Sequence, residues 1–163
     1  ILFENVAGDY LNKLMLPLQY PDSCVFIELF SNEKKSKKQL AQTYIYNIDK
    51  KYNVIISNLT CGEVYRSLMK MFDKDQEREM AFHKVNDILK HVEICSSQFE
   101  DYELALELKK IDYKLEPADA LHLAMAINRK SQAFITIGER ELVNNERIIE
   151  FCKGKNLKIE SLG

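Results

Sequence analysis

Pro117-Ala118-Asp119-Ala120-Leu121-His122-Leu123-Ala124-Met125-Ala126-Ile127, followed by Ala133-Phe134-Ile135-Thr136-Ile137-Gly138, decides the fold. The first stretch is apolar on nearly every side, the pattern of a helix buried all round. Pro117 suits its first helical position, where no backbone N–H is needed. The second is a short apolar run rich in β-branched residues, the pattern of a buried strand. A single carboxylate, Asp119, stands in the first turn of that helix. It either caps the helix or works in a crevice beside the strand.

Outward from this pair, strands alternate with helices. Residues 16–20 and 54–57 read as strands, as do 92–95, 134–137 and 157–160. Ser36 is placed to cap a helix over 36–51, and Thr60 to open one carrying Val64, Leu68 and Met71. Charged helices follow over 74–90 and 99–111, and two short ones precede the last strand. Such alternation predicts a three-layer α/β/α domain with a mostly parallel central sheet. Residues 1–15 read as an N-terminal helical extension, with Val6, Tyr10, Leu11 and Leu14 at helical spacing, and 16–163 as one domain.

The chain has 163 residues and a net charge of -2, which fits a soluble cytoplasmic protein and not a strongly basic nucleic-acid coat. No run is long and apolar enough to span a bilayer, so no membrane association is expected. Its four cysteines are scattered, with no C-x-x-C pair, as expected of reduced thiols. No histidine or cysteine spacing suggests zinc. His122, one turn after Asp119, either touches the crevice or is a packed, hydrogen-bonded histidine, the second reading being favoured.

In a doubly wound sheet, ligands bind beyond the carboxyl ends of the strands. Asp22, Glu63, Asp119 and Glu139 each follow a strand end or open the helix beside one. Four segments thus deliver acids to one edge. Two carboxylates about 5 Å apart repel by roughly 3 kcal/mol at an effective dielectric near 20. Protonation or a divalent cation must relieve this. Oxygen ligands suit Mg²⁺ or Mn²⁺, which assist phosphodiester hydrolysis by activating water and stabilising charge on the phosphate. Each acid alone has a structural role too. Thr60-Cys61-Gly62-Glu63 matches a capping box, Asp119 suits the helix dipole, Asp22 suits a turn, and Glu139 suits a solvated face.

These residues resemble the motifs of the PIN-domain family, in particular its VapC-like toxin ribonucleases. The motifs stand in order as Asp22-Ser23, Ser57-Asn58-Leu59-Thr60-Cys61-Gly62-Glu63, Pro117-Ala118-Asp119-Ala120 and Thr136-Ile137-Gly138-Glu139. The resemblance covers roughly residues 16–160. It implies a Mg²⁺- or Mn²⁺-dependent endoribonuclease in which Asp22, Glu63 and Asp119 are catalytic metal ligands and Glu139 or Glu141 supplies a fourth acid. Ser23 and Thr136 would orient the carboxylates. It also implies an RNA substrate, a homodimer and an antitoxin. The fourth motif departs from the family, with Gly138 where an acid is simplest.

Lys34, Lys35, Lys37 and Lys38 form a basic cluster that either contacts RNA phosphates or stays a solvated loop. Tyrosines such as Tyr44, Tyr102 and Tyr113 either stack bases or pack in the core. Two other readings compete: a catalytically weakened PIN fold that binds RNA or a protein without cutting, and a receiver-like regulatory domain. A receiver wants paired acids at its first strand end and a late lysine, which this chain does not clearly offer.

Overall fold

The computed structural model describes residues 15–138 and 141–163. The helix expected over 1–15 falls, but for Met15, outside the described residues, as does Glu139. In chain order the elements are β1 (Leu18–Pro21), α1 (Ser23–Ile27), α2 (Lys35–Tyr46), β2 (Asn53–Ser57), α3 (Asn58–Met71), α4 (Asp75–Leu89), β3 (Glu93–Cys95), α5 (Phe99–Ile111), α6 (Pro117–Asn128), β4 (Ala133–Ile137), a 3-10 turn (Glu141–Asn144), α7 (Glu146–Gly154) and β5 (Lys158–Leu162).

The strands form one sheet in the order β3-β2-β1-β4-β5, and each neighbouring pair is parallel. From β1 the chain winds outward through β2 and β3. It then returns to place β4 on the other side of β1. The order reverses between β1 and β4, so a crevice opens beyond their carboxyl ends.

Side-chain alternation along the strands builds a core on each face. Tyr20, Ile55 and Phe134 pack with Leu104, Leu108, Leu123 and Ile148 under α5, α6 and α7. Val54, Ile56, Ala133 and Ile135 pack with Phe26, Tyr44, Leu68 and Val85 under α1 to α4. The result is a single three-layer α/β/α domain. The all-round apolar pattern of α6 has its expected outcome: Ala120 and every residue from His122 to Ala126 are buried, as are all five residues of β4. Full burial of a side chain such as Leu123 or Phe134 contributes about 1.5–3 kcal/mol.

Two local expectations need correction. Ser36 does not cap α2, which starts at Lys35 and stops at Tyr46. Asp49 adopts a left-handed φ of 64° and donates its N–H to the Tyr52 carbonyl, so the chain turns before 51. Thr60 does not open α3 either. Ser57 is the cap, and its Oγ accepts the Thr60 N–H at 3.1 Å. That places Glu63 in the second turn, beyond reach of a capping role.

Candidate metal centre

Asp22 follows β1 directly. Its N–H still donates to the Ile135 carbonyl at 2.7 Å, so the sheet holds its backbone. It occupies the N-cap position of α1, yet its side chain makes no capping bond. The carboxylate instead accepts the Ser23 hydroxyl at 3.3 Å and the Cys24 thiol at 3.2 Å. The same thiol lies 3.4 Å from Thr136 Oγ1 on β4. Ser23 therefore touches Asp22 directly, while Thr136 reaches it through Cys24. Asp22 is only 2 % exposed.

Glu63 comes from α3, and its Oε2 lies 3.1 Å from His122 Nε2. His122 is 1 % exposed, and its other nitrogen lies 3.0 Å from the Tyr20 hydroxyl. Burial pushes that phenol up to about 12, against the lowering effect of hydrogen bonds from Ser57 and Thr60. One ligand atom from each of Asp22, Glu63 and His122 lies within 4.8 Å of the other two. Three elements thus bring two carboxylates and an imidazole to one point. The set fits a hard divalent cation: its carboxylates are the donors Mg²⁺ and Mn²⁺ prefer, and the nearby thiol donates a hydrogen bond to Asp22.

His122 is packed and hydrogen-bonded, as expected, and it also touches the crevice. Both readings of His122 thus hold, although the sequence did not mark it as a partner of Glu63, nor Cys24 as a partner of Asp22. The signals were local: His122 three residues after Asp119, and Cys24 two residues after Asp22. Asp119 occupies the third position of α6, half-buried, one turn before His122 on the same helix face. It lies outside the group of three. Beyond β4, Gly138 takes a φ of +79°. A Cβ there would meet Lys37 Nζ at 2.6 Å. Of the basic cluster, Lys34 and Lys35 are exposed, Lys38 is half-buried, and Lys37 lies against this end of β4.

A cleft of about 410 Å³ opens beside Glu63, lined by Asn58, Leu59, Arg66, Tyr102 and Leu121 among others. The Tyr102 hydroxyl is held 2.9 Å from Ser97 Oγ, and Arg66 stands one turn beyond Glu63. A wider depression of about 570 Å³ by Ile111 and Phe151 contains none of the acidic group. Tyr44 is buried and stacks on Tyr52, so it belongs to the core, whereas Tyr113 is exposed.

The family model of the PIN domain matches residues 20–144. Among solved structures, VapBC2 from Rickettsia felis bound to a DNA fragment from its promoter aligns with a TM-score of 0.62 at 16% identity, covering 90% of this chain and 99% of that one. DNA-bound VapBC from Salmonella typhimurium aligns at 0.60 and 17% identity, covering 91% and 100%. A toxin-antitoxin complex from Klebsiella pneumoniae aligns at 0.56 and 21% identity, covering 79% and 93%. At these identities the structural likeness speaks for the fold. No curated protein matches the chain.

Proposed function

The chain belongs to the PIN-domain family, and from that premise we propose that it is a Mg²⁺- or Mn²⁺-dependent endoribonuclease, the toxin of a toxin-antitoxin pair. The observation that carries this reading is the meeting of Asp22 and Glu63, with His122, within 4.8 Å beside the switch point of the sheet. Two acids so close are stable as carboxylates when a cation neutralises them. When bound there, a divalent cation would supply that neutralisation and would activate water for attack on phosphorus.

Asp22 and Glu63 would hold the cation, and Asp119, from the first turn of α6, would complete the set. Ser23 and Cys24 fix Asp22 by hydrogen bonds, and Thr136 supports Cys24. The cleft beside Glu63 takes the RNA strand. Arg66 pairs with phosphate there, and Tyr102 offers a ring for a base. Lys37 adds positive charge at the end of β4. The toxin-antitoxin complexes among the structural neighbours support a protein antitoxin as partner, and the family resemblance supports a homodimer.

The test is incubation with RNA in Mn²⁺ or EDTA, beside Asp22→Asn and Asp119→Asn. Cutting that needs metal and disappears in both variants is expected. RNA binding without cutting, unchanged by either substitution, favours the second reading: a PIN fold that binds RNA or a protein partner without cleavage. Gly138, which brings no carboxylate to the end of β4, is the observation behind that reading.

A further inference from the structure

We infer that His122 is a positioning residue: Tyr20 holds its ring as the Nε2–H tautomer, and that N–H orients Glu63 toward the cation instead of leaving Nε2 to bind it. This rests on the metal-site reading above. The argument begins at the 3.1 Å contact between Nε2 and Glu63 Oε2. An ionised carboxylate only accepts, so the proton of this contact sits on Nε2. A neutral ring carries one N–H, which makes Nδ1 the acceptor. The donor opposite it is the Tyr20 hydroxyl, 3.0 Å away.

That phenol is well placed to donate. It is fully buried, and its hydroxyl faces Nδ1 directly. Ser57 and Thr60, at the cap of α3, are buried with it. Their two hydroxyls lie 3.1 Å apart, and Ser57 Oγ also accepts the Thr60 N–H. The Tyr20 ring stacks on Phe134 with centroids 5.9 Å apart and an interplanar angle of 18°. Donors therefore run one way, from Tyr20 through His122 to Glu63. Ser57, Thr60, Tyr20 and His122 are all buried. A glutamate arm has several rotatable bonds, and pinning one oxygen sets the direction of the carboxylate before the cation arrives.

The experiment uses the full metal-free chain and long-range ¹H–¹⁵N correlation of the imidazoles. His122 is expected to show a protonated Nε2 and an unprotonated Nδ1, and to keep the Nε2 proton as Mg²⁺ is added. An Nδ1–H tautomer, or loss of the Nε2 proton on Mg²⁺ binding, overturns the inference. Tyr20→Phe is expected to mix the tautomers. Mn²⁺ affinity, measured by titration, is expected to fall about 10–100-fold in His122→Ala. It is expected to recover partly in His122→Gln, whose amide N–H reaches toward Glu63. Equal losses in Ala and Gln variants that fold like the wild type overturn the inference as well. No RNA enters these measurements. A protein that passes them and leaves RNA uncut removes the nuclease reading alone, whereas no response to either cation removes both.

Discussion

The Lys37 ammonium lies against Gly138, so close that a Cβ on the glycine would meet Nζ at 2.6 Å. The lysine tip is flexible and can move aside. The backbone cannot, because Gly138 holds a φ of +79° that L-residues with a Cβ resist. Gly138→Ala is therefore expected to cost about 1–2 kcal/mol. Thermal melts should show a loss of about 2–4 °C per kcal/mol. Adding Lys37→Ala should restore little of it, and full recovery would trace the cost to crowding. Gly138→Asn should be milder, since asparagine tolerates this region.

Asp22→Asn should keep the metal-free protein folded, since the amide oxygen can still accept from Ser23 or Cys24. The lost charge also relieves repulsion with Glu63. The stabilisation by Mg²⁺ should vanish with it. In the wild type that gain is about 2.7 kcal/mol at a concentration one hundred times Kd. Melts in Mg²⁺ and in EDTA read both effects, and a Mg²⁺ shift that persists in the variant removes Asp22 from the ligand set.

Acid stability should depend on Asp101. Its buried carboxylate accepts both ends of the Arg129 guanidinium at 2.9 Å, the Asn128 amide at 2.8 Å and the Gln98 N–H at 2.8 Å, tying α5 to the end of α6. Burial pushes this carboxyl up, but hydrogen bonds from Arg129, Gln98 and Asn128 more than offset it and hold it below the usual range. A lowered folded-state pKa contributes stability above the unfolded value of about 3.9, lost as pH falls through the folded value. Arg129→Ala leaves a buried carboxylate without its cation and is expected to cost about 3 kcal/mol at neutral pH. Urea unfolding between pH 3 and 7 should show most of that difference disappearing as Asp101 protonates.

Arg66→Ala and Tyr102→Ala should each weaken single-stranded RNA binding by roughly tenfold, since a base stacked on an aromatic ring is worth about 1–3 kcal/mol. The Arg66 effect should shrink with added salt, as phosphate contacts do, and the Tyr102 effect should not. Mn²⁺ affinity should stay unchanged in both. RNA affinity that ignores both substitutions would move the strand out of the cleft beside Glu63.

Local order in this chain was legible because it is written in local patterns. The 3.6-residue period and all-round apolarity of residues 117–127 determined a buried helix, and the β-branched run 133–137 a buried strand. The alternation of such segments determined a parallel α/β sheet. Where two caps competed within a few residues, pattern alone misled: Ser57 and Thr60 can both begin a helix, and β2 running directly into α3 decided for Ser57. Motif order also pointed to Asp22 and Glu63 as neighbours, though 41 positions separate them. What only the tertiary structure decided is which groups surround them. Cys24 meets Thr136 across 112 positions, His122 meets Tyr20 across 102 and Glu63 across 59. No periodicity encodes such pairs. They arise because β4 crosses back beside β1, which sets the start of α6 over the carboxyl ends of the sheet, where buried polar groups must find partners in one another.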